Sequence, residues 1–172
     1  MNSAVSLNRL LMSIQGLPVA LYYGLALSLL VLDLWTKALA TEYLNYAEPV
    51  VVTSFFNWTL LHNTGAAFSF LSSAGGWQHW LFGGIASIIS VVLVVWLYRA
   101  PASAVLLKFS LALILAGALG NLWDRVTLGY VVDFIQWHYK GYYWPAFNIA
   151  DAAISVGAAA MVIDSFRASS RD

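Results

Sequence analysis

Residues 104–125 read AVLLKFSLALILAGALGNLWDR. As a helix, 104–123 is long enough to cross a bilayer core, which takes roughly 20 mainly apolar residues. Between positions 110 and 120 there is only Ser110 and then Leu, Ala, Ile and Gly, after which Asn121, Asp124 and Arg125 follow closely. Ionisable groups at membrane depth are costly unless they face a protein interior or a wet cavity. The stretch therefore predicts a membrane span with a polar site at its end.

The composition agrees. The chain has 172 residues, 61% hydrophobic and 9% charged, with mean hydropathy +0.76, whereas a soluble domain carries about a quarter charged residues. Three more segments qualify as spans, 17–37, 79–98 and 148–166. Ala38-Leu39-Ala40 resembles a signal-peptide cleavage site, but Asp33 and Lys37 interrupt the approach to it. The apolar run also exceeds the usual ~7–15 residues of a signal peptide, so the first segment reads as a retained span. Without repeats, low-complexity tracts or linkers, residues 1–172 read as a single integral membrane domain. Eight Lys+Arg balance eight Asp+Glu, so no basic excess points to nucleic acid. The absence of cysteine excludes disulfides and thiolate chemistry. His62, His79 and His138 lack metal-ligand spacing and read as interfacial or core polar groups.

Orientation follows from the cations. One side of the membrane would hold Arg9, Arg99, Lys108, Arg167 and Arg171, the other Lys37, Arg125 and Lys140. Positive-inside bias places both termini in the cytoplasm and the loops 41–76 and 126–147 outside. The first loop, with VVVTSFFNWTLLHNTG, predicts one or two short strands with a turn. The second carries Tyr130, Phe134, Trp137, Tyr139, Tyr142, Tyr143, Trp144 and Phe147, which suit the membrane–water interface.

The polar residues cluster at the outer ends of the spans: Asp33 and Lys37, then Asn121, Asp124 and Arg125, then Asn148 and Asp151. Gly117, Asn121 and Asp124 share one helical stripe beside a ridge of Ala112, Ala116 and Gly120. Ala153 and Gly157 supply a matching small pair, so the third and fourth spans can approach closely with Asp124 and Asp151 between them. Simpler readings exist: Asn148 with Asp151 as a helix cap, and Asp33 with Lys37 as an i, i+4 pair. Asp124 at a helix C-terminus opposes the macrodipole, which favours its protonated form, while Asp151 near an N-terminus favours the ionised one. Two carboxyls sharing a site split into an acid and a base. Asp151 is expected as the base and Asp124 as the acid of an aspartic protease.

The stretches Asp33-Leu-Trp-Thr-Lys37, Asn63-Thr-Gly-Ala-Ala-Phe68, Gly120-Asn-Leu-Trp-Asp-Arg125, Val131-Val-Asp-Phe134 and Phe147-Asn-Ile-Ala-Asp151 resemble the bacterial lipoprotein signal peptidases (signal peptidase II). Any one is weak; five in order on a four-span chain are specific. The resemblance implies four transmembrane helices with an extracytoplasmic β-cradle and a mobile outer segment over the site. It implies an intramembrane aspartic endopeptidase with no metal or organic cofactor, in the bacterial cytoplasmic (inner) membrane, inhibited by globomycin. Its substrates would be prolipoproteins carrying diacylglycerol on a cysteine, cut just before that cysteine. By the same resemblance Asp124 and Asp151 match the catalytic aspartates, and Asn63, Asn121, Arg125, Asp133, Asn148 and Asp33 match surrounding residues. Arg125 is expected to pair with Asp133 across the outer loop or, as the second choice, to contact a phospholipid, and Lys37 to support the site with Asp33. A monomer in contact with membrane lipid, without nucleic acid, completes the expectation. Trp123, where Ile or Leu is commoner, is a mild departure, and the residues before 17 match nothing assignable.

Other classes fit less well. A proton-coupled carrier would step its acids through the bilayer, whereas here they gather at one surface. A non-catalytic assembly factor would use the aspartates only as caps and pairs. A serine intramembrane protease lacks GxSxG and a plausible Ser/His pairing.

Overall fold

The computed structural model describes residues 17–65 and 78–169. Residues 66–77, including Ala66, Ala67 and Phe68, lie outside it, as do the cations Arg9 and Arg171. Among the described residues four helices are long and apolar enough to cross a membrane: α1 (Val19–Tyr43), α2 (Gln78–Arg99), α3 (Val105–Thr127) and α4 (Ile149–Ser169). All four predicted spans are present. Helix α1 continues to Tyr43 and α3 to Thr127, so Asp33, Lys37, Asn121 and Asp124 lie inside helices rather than at their ends.

Helix α3 is the central post. Of its most apolar window 61% is buried inside the protein, against 17%, 22% and 11% for α1, α2 and α4. Leu111, Ala112, Leu115 and Ala116 pack with Tyr22 and Ala26 of α1 and Leu93 and Leu97 of α2 in one apolar core. Against α4 the packing is closer still. A Cβ on Gly117 would collide with the Ala150 carbonyl oxygen and Ile154, and one on Gly120 with the Asp33 carboxylate and Ala150. These two glycines admit α4 and the α1 carboxylate to the α3 surface. The outward faces of α1, α2 and α4 carry exposed Leu27, Val31, Trp35, Ile88, Val91, Val156 and Val162, as suits contact with lipid.

The two connections on the Tyr43, Thr127 side build one antiparallel sheet. Strands β1 (Val50–Thr53), β2 (Phe56–Asn63), β3 (Val131–Tyr139) and β4 (Tyr142–Tyr143) lie in the order β1-β2-β3-β4. The β1–β2 hairpin is the expected one. The second pair was not foreseen: residues 126–147 read as an aromatic anchoring belt, yet they supply a central strand. Lys140 and Gly141, with φ 48° and 84°, turn β3 into β4, as a tight two-residue hairpin requires. At the other end the Leu128 N–H bonds the Asp124 carbonyl oxygen at 2.7 Å, ending α3 and launching β3. Phe147 then exchanges N–H···O bonds with Ile135 at 2.9 and 3.0 Å. That exchange seats the start of α4 beside the middle of β3.

Candidate active site

Two residues of α1 begin the polar cluster. Asp33 and Lys37, one turn apart, pair at 2.8 Å, and Lys37 Nζ also reaches Asp124 Oδ2 at 2.9 Å. All three side chains are buried. The i, i+4 pair thus exists, but it faces the interior and recruits a second carboxylate. Asp124 Oδ2 also accepts the Val132 N–H at 3.1 Å. Asp33 Oδ1 accepts the Ala150 N–H at 2.8 Å, one of the first-turn donors that α4 cannot satisfy itself. The cluster therefore fastens α1, α3, β3 and α4 together.

Asn148 precedes α4 and forms a reciprocal cap with Asp151. Its Oδ1 accepts the Asp151 N–H at 2.8 Å, and Asp151 Oδ2 accepts the Asn148 N–H at 3.3 Å. The cap reading is thus realised, and the same groups go further. Asp151 Oδ1 accepts Asn121 Nδ2 at 2.8 Å. Asn148 Nδ2 lies 2.8 Å from Asp133 Oδ1, 3.2 Å from the Val132 carbonyl oxygen and 3.2 Å from Asn121 Oδ1. Asn63 Nδ2 donates to Asp133 Oδ2 at 3.1 Å. Asn63 pairs in register with Val131, two residues before Asp133, so both side chains fall on one face of the sheet.

This arrangement differs from the expected one at the acid. The α3 residue that meets Asp151 is Asn121, while Asp124 turns toward Lys37 and β3. Three positions on a helix separate side chains by roughly 60° around the axis, enough to send the two to different neighbours. The carboxyl linked to Asp151 through Asn148 is that of Asp133. Burial pushes the Asp133 carboxyl up to about 7, with the Asp151 charge pushing the same way and the Asn63 amide, Lys37 and the Asn148 amide opposing. Among the described residues Asp133 has no ion-pair partner.

The expected Arg125–Asp133 pair is also absent among the described residues. Arg125 donates to the Asn121 carbonyl oxygen at 3.1 Å and the Gly65 carbonyl oxygen at 3.0 Å, its guanidinium 5.9 Å from the Phe82 ring centre. It holds the end of the described α1–α2 connection to α3, while two asparagine amides occupy Asp133.

Asp133 and Asp124 also line different openings. Asp133 and Asn63 line a cavity of about 350 Å³ with Tyr46, His62, Tyr143 and Trp144. His62 stacks on Tyr130 at 4.0 Å and tilts against Tyr46 at 4.8 Å, and burial holds its pKa below the ordinary histidine value. Asp124 and Lys37 line a separate groove of about 410 Å³ between α1 and α3, with Trp123 and Thr127.

Four membrane-crossing helices carrying buried, amide-held carboxyls beneath a small sheet define a multi-pass membrane protein with the makings of acid–base chemistry. The family model for signal peptidase (SPase) II matches residues 25–167. The chain is 57% identical over 146 residues to a lipoprotein signal peptidase of Acinetobacter baylyi, covering 85% of this chain and 82% of that one. It is 53% identical over 144 residues to one from Teredinibacter turnerae, covering 84% and 86%. A bacterial membrane enzyme solved by the in meso method at 2.3 Å superposes with a TM-score of 0.80 at 30% identity, covering 89% of this chain and 92% of that one. A second, at 1.9 Å, gives 0.72 at 32% identity, with 84% and 91% covered. The chain belongs to the signal peptidase II family, which are proteases of the aspartic type.

Proposed function

We propose that this protease releases the signal peptide from prolipoproteins bearing diacylglycerol on a cysteine, cutting just before that cysteine, with Asp133 and Asp151 as its acid–base pair. The observation that carries the pair is the Asn148 bridge: one side chain donates to Asp133 and caps Asp151. Asp133, raised to about 7, is protonated in a large share of molecules in neutral solution, and that form can donate to the scissile carbonyl oxygen. Asp151, accepting the Asn121 amide and the Asn148 N–H, takes a proton from the attacking water. The water oxygen bonds to the carbonyl carbon, giving a tetrahedral diol. Collapse breaks the C–N bond as the leaving nitrogen takes a proton from Asp151, and a diol proton returns to Asp133. Asp124, expected from sequence as the acid, is ion-paired with Lys37, which favours a structural role.

The substrate class suits this placement. A diacylglyceryl cysteine holds the scissile bond at the membrane surface, and an apolar signal helix can pack beside the enzyme's own spans. Positive-inside bias and the aromatic sheet support a cytoplasmic-membrane protein with both termini inside and the site toward the outer face. The reading is tested by reconstituting the chain in lipid with a diacylglyceryl-modified prolipoprotein and its unmodified form. Release of the signal peptide from the modified form alone is expected; equal cleavage of both contradicts the proposed lipid requirement.

A further inference from the structure

The oxygen and nitrogen of an asparagine carboxamide are nearly isosteric, so its neighbours decide which one faces a given partner. At Asn121, Lys37 Nζ approaches Oδ1 at 3.1 Å and Asn148 Nδ2 at 3.2 Å, leaving Nδ2 to donate to Asp151 Oδ1 at 2.8 Å. Turned over, the amide would set its NH₂ against an ammonium and its oxygen against a carboxylate. An ammonium has three donors and no acceptor, so it enforces one orientation only. Lys37 in turn is held by Asp33 at 2.8 Å and Asp124 at 2.9 Å.

We infer that Lys37 is a positioning residue for peptide hydrolysis: its ammonium locks the Asn121 amide so that the amide's N–H fixes the Asp151 carboxylate. The inference rests on the reading of Asp151 as the base. It gives the Asp33–Lys37–Asp124 cluster, which touches no reacting atom in the proposed chemistry, a defined influence on rate. A lysine that acted only through packing, or only through its charge, would exert its effect whether or not Asn121 carried an amide.

A double-mutant cycle on the full chain in lipid tests this, using a diacylglyceryl-modified prolipoprotein. Lys37→Met is expected to lower kcat by between about 10- and 100-fold with KM little changed, the scale on which a misplaced catalytic group acts. In an Asn121→Ala background the same change is expected to cost less than about 3-fold, because both substitutions remove one contact to Asp151. Equal fold-losses in the two backgrounds would overturn the inference. Should Lys37→Met fail to fold, the cycle is run in an Asp124→Asn background. There the cluster keeps its formal charge of −1 without the lysine, since only the Asp33 carboxylate remains. Asp151→Asn is measured alongside. Its loss of cleavage together with equal fold-losses rejects Lys37 alone, whereas cleavage that survives Asp151→Asn rejects the base assignment and this inference with it.

Discussion

A proton on Asp133 is the residue-scale feature on which the proposed chemistry turns. With that carboxyl near 7 and required as an acid, kcat/KM falls as pH rises through about 7. Asn63→Ala removes a donor that favours the ionised carboxyl, so the fall is expected at higher pH in that variant. An unchanged profile would show that Asp133 does not set this limb. The same group affects stability. Between the ordinary aspartate value of 3.8 and about 7 the folded chain binds the proton more tightly than the unfolded chain does, so stability declines as pH rises through that window. Asp133→Asn should flatten the decline when thermal midpoints in detergent are compared across pH.

Helix α3 shows at the scale of elements how a membrane protein brings polar groups together. Gly120→Ala would press a methyl group against the Asp33 carboxylate and Ala150, and a cost of about 1–3 kcal/mol is expected, seen as a lowered thermal midpoint. Gly24→Ala on α1 meets nothing within 4 Å and should be neutral or slightly stabilising, a matched control within the same bundle. The four spans, the close α3–α4 contact through Gly117 and the Asn148–Asp151 cap were legible because they depend on local length, period and spacing. The β3–β4 hairpin was not, since VVDFIQWHYKGYY reads equally as an interfacial aromatic belt until β2 supplies an edge for it. The proposed move of the acid from Asp124 to Asp133 has the same origin. Asp133 comes to share Asn148 with Asp151 only once β3 forms and Phe147 binds Ile135, a long-range event that residue spacing along α3 does not report. Arg125 likewise finds Gly65 rather than Asp133, a partner fixed by the path of the chain after β2.

For the whole molecule, the proposed topology puts the sheet and the polar cluster outside and both termini inside. The chain has no cysteine, so single substitutions can be labelled without background. Lys140→Cys, in the β3–β4 turn, should react with a membrane-impermeant maleimide on intact cells. Ala102→Cys, between α2 and α3, should react only after permeabilisation; the reverse pattern would invert the topology. The Asp33–Lys37–Asp124 cluster and the Asn148 cap join α1, α3 and α4 on the side that carries the sheet. The most direct measurement compares Asp133→Asn, Asp151→Asn and Asp124→Asn for signal-peptide release from a diacylglyceryl-modified prolipoprotein, with folding of each verified. The account predicts no release by the first two and slowed but measurable release by Asp124→Asn; sustained release by Asp133→Asn beside an inert Asp124→Asn would contradict it.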